Sequence, residues 1–398
     1  MAASPAGKIS KRLLNSYGFP EPVHVTRPNM PRLTDFEHHL EKIWENRWLT
    51  NDGDFHREFE RRLARYLGVG HVNLFCNGTI ALLVALHAFR INSGEVITTP
   101  FTFPSTAHVL YWNGVRPVFC DIDPRTFNLD PERIEALISP DTKAILPVHI
   151  YGTPCDVDAI QTIADRHGLL VIYDAAHAFG VRRKGTPLVQ HGDVSMLSFH
   201  ATKLFTTLEG GALVVDSDVM RTRINHLRNF GIAGPENVIG PGINGKMNEF
   251  QAAFGLLELD IVEAEIAARG ELARIYRERL KDVPGLIFLE DQPNVRHNYA
   301  YFPLLIDAEG YGMSRDELHA VLLQLNIFAR KYFYPLCSHY SCYSALHSAR
   351  PENLPVAESV ADKILCLPLY GDLGTDAVKQ ICGALDELHR TGLNGLVP

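Results

Sequence analysis

Between residues 72 and 215 the chain alternates short apolar runs with stretches whose apolar residues recur at helical spacing. Runs at 72–76, 95–98, 116–120, 144–148, 169–173, 194–198 and 212–215 read as seven strands. Helices are predicted from Asn77-Gly78-Thr79 to about 90, over 104–113, from about 131, and over 157–167. Such alternation builds an α/β fold, a mostly parallel sheet with helices on both faces. Upstream, Phe36, Leu40, Ile43 and Trp44, then Phe55, Phe59, Leu63 and Tyr66, mark helices over 35–48 and 54–67, separated by the turn Thr50-Asn51-Asp52-Gly53. Residues 1–30 are polar and proline-containing and read as an extended arm. From 247 to 280 the pattern is one long helix, fit to bridge two domains. Beyond it, strands at 285–289 and 299–306 and helices at 314–325 and 375–389 describe a smaller α+β domain. The expected division is an arm (1–30), a large domain (31–255), and a linking helix with a small C-terminal domain (256–398).

Composition changes this picture little. At 398 residues two packed domains are the default, and 46% hydrophobic with 21% charged residues is ordinary for a soluble globular chain. A net charge of −8 argues against a nucleic-acid partner, which leaves a basic footprint. The longest apolar stretch, 80–86, is too short to span a bilayer. The first twenty residues lack the apolar core of a secretory signal. Seven cysteines without C-x-x-C spacing fit neither a disulfide framework nor a zinc site, so a reducing cytoplasm is expected and no metal.

Chemistry concentrates at the predicted strand ends, where open α/β sheets bind ligands. Lys203 lies in Ser198-Phe199-His200-Ala201-Thr202-Lys203, between two strands, followed by Glu209-Gly210-Gly211. Asp174 ends the apolar run Val171-Ile172-Tyr173 and opens Asp174-Ala175-Ala176-His177. A loop lysine beside a strand-end acid is the equipment of pyridoxal phosphate chemistry: the amine forms a Schiff base, and the carboxylate keeps the ring nitrogen protonated. Each residue also has a plainer reading. A lone lysine is usually surface charge, a strand-end aspartate usually caps a helix, and His177 alone would be a satisfied core histidine. Asn77-Gly78-Thr79 exposes backbone N–H groups at a helix start, where phosphates bind, although most such starts are only caps. Ser198 can donate to the same phosphate. Phe103, after a strand in Pro100-Phe101-Thr102-Phe103-Pro104, can stack on a ring, though such aromatics more often fill cores.

Together with Trp48-Leu49-Thr50 and Gly245-Lys246-Met247-Asn248-Glu249, these motifs resemble the DegT/StrS family of sugar-nucleotide aminotransferases, over about residues 48–370. The resemblance implies the aspartate-aminotransferase-like fold (PLP fold type I). It also implies pyridoxal 5'-phosphate as cofactor, cycling through its pyridoxamine form. Lys203 would be the Schiff-base lysine and general base, Asp174 the ring-nitrogen partner and Phe103 the stacking ring. Gly78, Thr79 and Ser198 would be phosphate contacts, and His177 would sit near the ring oxygen. The family is homodimeric with the site at the interface, which implies Asn244 as the asparagine lent to the partner's phosphate site. Lys246 stands where many relatives have arginine, and with Tyr334 it is a candidate substrate contact. Asp52-Gly53-Asp54 departs from the family's more usual Gly-Pro.

The implied reaction moves an amino group from L-glutamate to a keto-sugar nucleotide. A sister group with histidine in place of the lysine dehydrates sugars instead, so Lys203 favours amination. Pro147 to Gly152, Pro241 to Met247 and Tyr332-Phe333-Tyr334-Pro335-Leu336 look most like the viosamine-forming group, which aminates C4 of dTDP-4-keto-6-deoxyglucose. Rival readings are a 3-aminotransferase acting on a dTDP-3-keto-6-deoxyhexose, a UDP-4-keto-sugar aminotransferase, and a non-catalytic sensor on the same fold.

Overall fold

The computed structural model describes residues 9–392. Seven apolar runs form its central sheet: β1 His71–Phe75, β2 Glu95–Thr98, β3 Arg116–Phe119, β4 Thr142–Leu146, β5 Leu170–Asp174, β6 Val194–Ser198 and β7 Gly211–Val215. Their spatial order is β1-β7-β6-β5-β4-β2-β3. The pairs from β3 through β6 are parallel, whereas β7 runs antiparallel to β1 and to β6, with Gly211 opposite both Phe75 and Ser198. Every residue of β7 is buried, as expected for a strand covered on both faces.

The order of strands and helices follows the hydrophobic pattern closely. Helices Asp54–Leu67 and Val157–His167 match the predicted spans, and Gly78–Ala88, Pro104–Trp112 and Glu249–Leu280 start within a few residues of theirs. Their starts have local causes. Asn77 caps Gly78–Ala88 by accepting from the Ile80 N–H, and Asn248 with Gln251 forms a capping box on the long helix. Glu249, the first residue of that helix, accepts from the N–H groups of Phe55 (2.9 Å) and His56 (3.0 Å), so it caps Asp54–Leu67 from far away in the chain. A Cβ at Gly53 would collide with the Glu249 carboxylate, which explains the glycine in that turn.

Two expectations change. The predicted helix from about 131 is two 3₁₀ turns, Pro131–Arg133 and Glu135–Leu137. Asp130 accepts from the Glu132 N–H, only Ile134 of this stretch is buried, and Pro140 follows, so nothing propagates a longer helix. The extended arm instead contains the helix Lys11–Tyr17, which buries Leu13 in the C-terminal core, and the strand Val23–His24, paired with Ile327–Phe328. Residues 1–8 of that arm lie outside the described residues.

A second sheet, β8 Leu286–Phe288, β9 Phe302–Ile306 and β10 Ile364–Leu367, is antiparallel in that order. The long helix gives Val262 and Ile266 to the core under the large sheet and Leu272, Tyr276 and Leu280 to the core under the small one. A further cluster, including Phe101, Tyr151, Phe333 and Leu336, joins segments from both halves of the chain. All seven cysteines are free thiols. No helix among the described residues is long and apolar enough to cross a membrane.

Candidate active site

A cavity of about 590 Å³ opens beyond the carboxyl ends of β5 and β6. Its lining brings together seven residues singled out from the sequence: Gly78, Thr79, Phe103, Asp174, His177, Ser198 and Lys203. They come from four strand–loop junctions scattered over more than a hundred residues of chain.

At one end, the start of helix Gly78–Ala88 faces Ser198. Asn77 satisfies the Ile80 N–H at 2.8 Å, which leaves the first backbone donors of the helix, with the Thr79 and Ser198 hydroxyls, for an anion. Close packing makes this turn possible. A Cβ at Gly78 would stand 2.9 Å from the Met196 sulfur, and one at Gly211 would stand 2.6 Å from the Gly78 nitrogen. Gly211, the last residue of the Glu209-Gly210-Gly211 motif, is therefore a packing requirement of the anion end.

At the other end sits Asp174, 3% exposed. Its Oδ2 accepts from the Thr106 hydroxyl (2.8 Å) and its Oδ1 from the Ala176 N–H (3.1 Å). The Thr102 and Thr106 hydroxyls are 2.9 Å apart, so with Thr106 donating to Asp174, Thr102 donates to Thr106. Burial raises the Asp174 pKa above the ordinary carboxylate value, opposed by those two hydrogen bonds and by the charge of Lys203. A cation placed in the cavity would relieve that cost.

Lys203 is half-buried on the loop between β6 and β7. Its N–H donates to the His200 carbonyl (2.8 Å), and the loop is closed by Phe199 N–H to Gly210 O at 2.9 Å. Its amine lies 6.0 Å from the Tyr301 ring centre. Desolvation lowers its pKa to about 8, with Asp174 pulling the other way.

His177 is held neutral, because burial and then the Lys203 charge push its pKa well below the usual value. Its Nδ1 accepts from the Tyr151 N–H at 3.1 Å, so the proton resides on Nε2. Asn298 fixes its backbone, donating to the His177 carbonyl at 2.8 Å. Phe103, Val148 and Ala176 give the cavity apolar walls. Phe103 is 56% exposed despite its size.

Three candidates lie elsewhere in this chain. Asn244 accepts from the Lys246 amine at 2.9 Å, which also reaches Asn229 and lies 5.0 Å from the Phe230 ring; neither Asn244 nor Lys246 lines the cavity. Tyr334 is exposed, with the Arg315 guanidinium 4.7 Å from its ring. Tyr301, Arg330, Tyr332 and Phe333 also line the cavity; Tyr332 and Phe333 belong to the Tyr332-to-Leu336 motif, in which Tyr334 is the expected contact. The signal was present in Arg330-Lys331-Tyr332-Phe333-Tyr334, a basic and aromatic run, but no periodicity shows which of its rings turns inward. Among the described residues no group of three or more His, Cys, Asp or Glu side chains is placed to hold a metal.

The model of the DegT/DnrJ/EryC1/StrS aminotransferase family matches residues 33–386. The chain is 50% identical to a dTDP-4-amino-4,6-dideoxy-D-glucose transaminase of Escherichia coli, over 90% of this chain and 96% of that one. A Shigella dysenteriae protein of the same name is 46% identical, over 92% and 99%. Among solved structures, DesI, crystallised in the presence of its TDP-sugar product, superposes with a TM-score of 0.90 at 36% identity, covering 95% of each chain.

Proposed function

The chain belongs to the DegT/DnrJ/EryC1/StrS aminotransferase family, and from that premise we propose a C4 amination of a sugar nucleotide. The amino group passes from L-glutamate to dTDP-4-keto-6-deoxy-D-glucose, giving dTDP-4-amino-4,6-dideoxy-D-glucose. The cofactor is pyridoxal 5'-phosphate. One observation carries the reading: Lys203, Asp174 and an anion-binding helix start converge on one cavity. The relatives named for the 4-amino sugar support the choice of substrate.

The residues fit that cofactor. Glycines at 78 and 211 leave a cradle that a side chain would fill, and Asp174 faces the cavity with burial holding its pKa up. When bound, the cofactor would supply an aldehyde carbon able to carry the amino group and a protonated ring able to take up the electron pair left at the reacting carbon. The Gly78 and Thr79 N–H groups with the Thr79 and Ser198 hydroxyls bind its phosphate. Asp174 pairs with the protonated ring nitrogen, and the Thr102–Thr106 hydroxyl chain orients that carboxylate. The His177 Nε2–H donates to the ring oxygen, and Phe103 covers a ring face. Lys203 would hold the cofactor through its amine and, once freed, would move the proton at the reacting carbon. A pKa of about 8 leaves about a tenth of it neutral at pH 7, against less than a thousandth at the ordinary value.

Asn244 and Lys246 serve the site of the partner in a homodimer, Asn244 at the phosphate and Lys246 at the substrate diphosphate; that neither lines this chain's own cavity supports the exchange. Seven free thiols support a reducing, cytoplasmic setting.

The test is incubation with L-glutamate and a panel of 3-keto and 4-keto dTDP- and UDP-sugars, with the new nitrogen located by NMR. The expected product carries it at C4 of the dTDP-6-deoxyhexose. Nitrogen at C3, or preference for a UDP-sugar, would replace the substrate while leaving the aminotransferase. No transfer to any of them would favour a non-catalytic role.

A further inference from the structure

A cluster of charged side chains lies behind the anion end, and no role above uses it. β1 is an edge of the large sheet, and one segment of chain covers its open side. The Arg228 Nη1 donates to the Leu74 carbonyl, and the Cys76 N–H donates to the Gly245 carbonyl at 2.8 Å. Arg228 also ties that segment together, because its own carbonyl accepts from the Gly245 N–H at 2.9 Å. Asn77 and Gly78 follow directly on the clamped stretch, and Asn244 and Lys246 flank Gly245. Arg228 is 3% exposed, so its charge needs a counter-charge. Its Nη2 lies 3.5 Å from Asp52 and 4.0 Å from Glu60. Burial lowers the Arg228 pKa, and those two acids oppose the shift. Asp52 stands at φ 58° after Asn51 at φ 62°, a left-handed turn in which glycine costs least. Its other neighbours make no claim on the carboxylate as a charge. Arg57 reaches the Asp52 carbonyl and pairs with Asp54. His56, 3.4 Å away, is held neutral, because burial and then the Arg228 charge lower its pKa to about 4.

We propose that Asp52 and Arg228 are positioning residues for the phosphate end of the cofactor site, a reading that rests on the phosphate contacts proposed at the Gly78 turn. Asp52 anchors the guanidinium, and the guanidinium with Gly245 fixes the end of β1 from its open side. Gly211 supports the same turn from the inner side, on β7. Neither Asp52 nor Arg228 lines the cavity, so both act through the backbone they hold. The sign of the effect separates this role from simple attraction. As a distant positive charge, Arg228 would draw a phosphate more strongly once Asp52 no longer offset it. As a clamp, Arg228 supports the phosphate less well once its anchor is gone. The left-handed turn gives a second contrast: if Asp52 only shapes the turn, glycine replaces it without loss.

Two ligands that differ only in the phosphate supply the test. Apoproteins of wild type, Asp52→Gly, Asp52→Asn and Arg228→Lys are titrated by absorbance with pyridoxal phosphate and with pyridoxal. Both Asp52 variants are expected to bind pyridoxal phosphate roughly 3–10-fold more weakly and pyridoxal within about twofold of wild type. Arg228→Lys keeps the charge but cannot reach Leu74 and Asp52 with two arms, so its loss should be at least as large. A melt within about 3 °C of wild type shows that a variant is folded, and the exposed Asp52 position keeps the test open should Arg228→Lys not fold. Tighter binding by the Asp52 variants overturns the proposal in favour of attraction. Full affinity in Asp52→Gly overturns it in favour of a turn residue. Equal losses for the two ligands overturn it in favour of a general structural role. Wild-type protein that binds pyridoxal phosphate no better than pyridoxal refutes the phosphate site itself and the proposal with it. Wild-type preference for the phosphate that persists undiminished in the Asp52 variants refutes the proposal alone.

Discussion

The two walls of the cavity are built on different plans. One is made of strand ends: Asp174 closes β5, Ser198 closes β6, and Gly78 follows β1. Its polar groups are fixed by neighbours before any ligand arrives, Asp174 by Thr106 and Ala176, and the Gly78 turn by Gly211 beneath it. The other wall is Tyr301, Arg330, Tyr332 and Phe333, carried by the C-terminal half and held by ring packing. Phe333 lies parallel to His177 at 5.9 Å, and Tyr301 meets His177 edge-on at 5.0 Å. A ligand that stays in place through the whole cycle can be held by backbone and packed glycines. A site that, in the proposed reaction, admits first an amino acid and then a sugar nucleotide is better served by side chains on the loops beside a second sheet. The difference teaches that the two walls answer to different measurements, cofactor affinity for one and substrate discrimination for the other.

The largest effect tests the strand-end wall. Lys203→Ala is expected to lower turnover by about 10⁴-fold or more and to abolish the absorbance of the lysine-bound cofactor, read by steady-state assay and spectrum. Residual turnover near the wild-type rate would remove Lys203 from the mechanism. Gly211→Ala is the next test. Its new methyl would press on the Gly78 turn, so pyridoxal phosphate affinity should fall roughly 10-fold and stability by about 1–3 kcal/mol. Tyr332→Leu on the opposite wall should leave cofactor affinity within about twofold. If titration and thermal melts show both variants equally impaired, the division between the walls is wrong. The smallest effect is on pH. In the proposed mechanism the neutral Lys203 amine is the nucleophile, and burial lowers its pKa to about 8. The rate of cofactor attachment to apoprotein should then rise about tenfold per pH unit below 8 and level off above it. Asp174→Asn removes the charge that opposes this shift, so the break should move to lower pH. Stopped-flow absorbance across pH 6–10 distinguishes these outcomes.

The same division explains what the sequence made legible. The strand-end wall is visible because an apolar run, a polar residue at its end and a glycine turn are local patterns, and Asp174, Ser198 and Gly78 each sit in one. Even the long helix and its capping asparagine can be read from residue order. The second wall cannot, because Tyr332 turns inward and Tyr334 outward within one short run that has neither helical nor strand periodicity. Glu249 is a similar case. It caps a helix that starts almost two hundred residues earlier, and nothing near Asp54 announces its partner. The strand Ile364–Leu367 is not legible, because four apolar residues are too short a run to distinguish from a helix end. The helix at Lys11–Tyr17 leaves no signal, because its one buried residue, Leu13, gives no repeat.

The reversed strand β7 has a consequence for how reactions diversify on this scaffold. A parallel strand after β6 would require a crossover that carries the chain away over a face of the sheet. An antiparallel one lets the chain return at once, so the 199–210 segment stays at the ligand edge, pinned by Gly211 opposite Ser198 and by Phe199 to Gly210. None of those anchors involves the side chain at 203. The scaffold therefore treats that residue as an interchangeable tool head: its identity can be exchanged without reworking the mount.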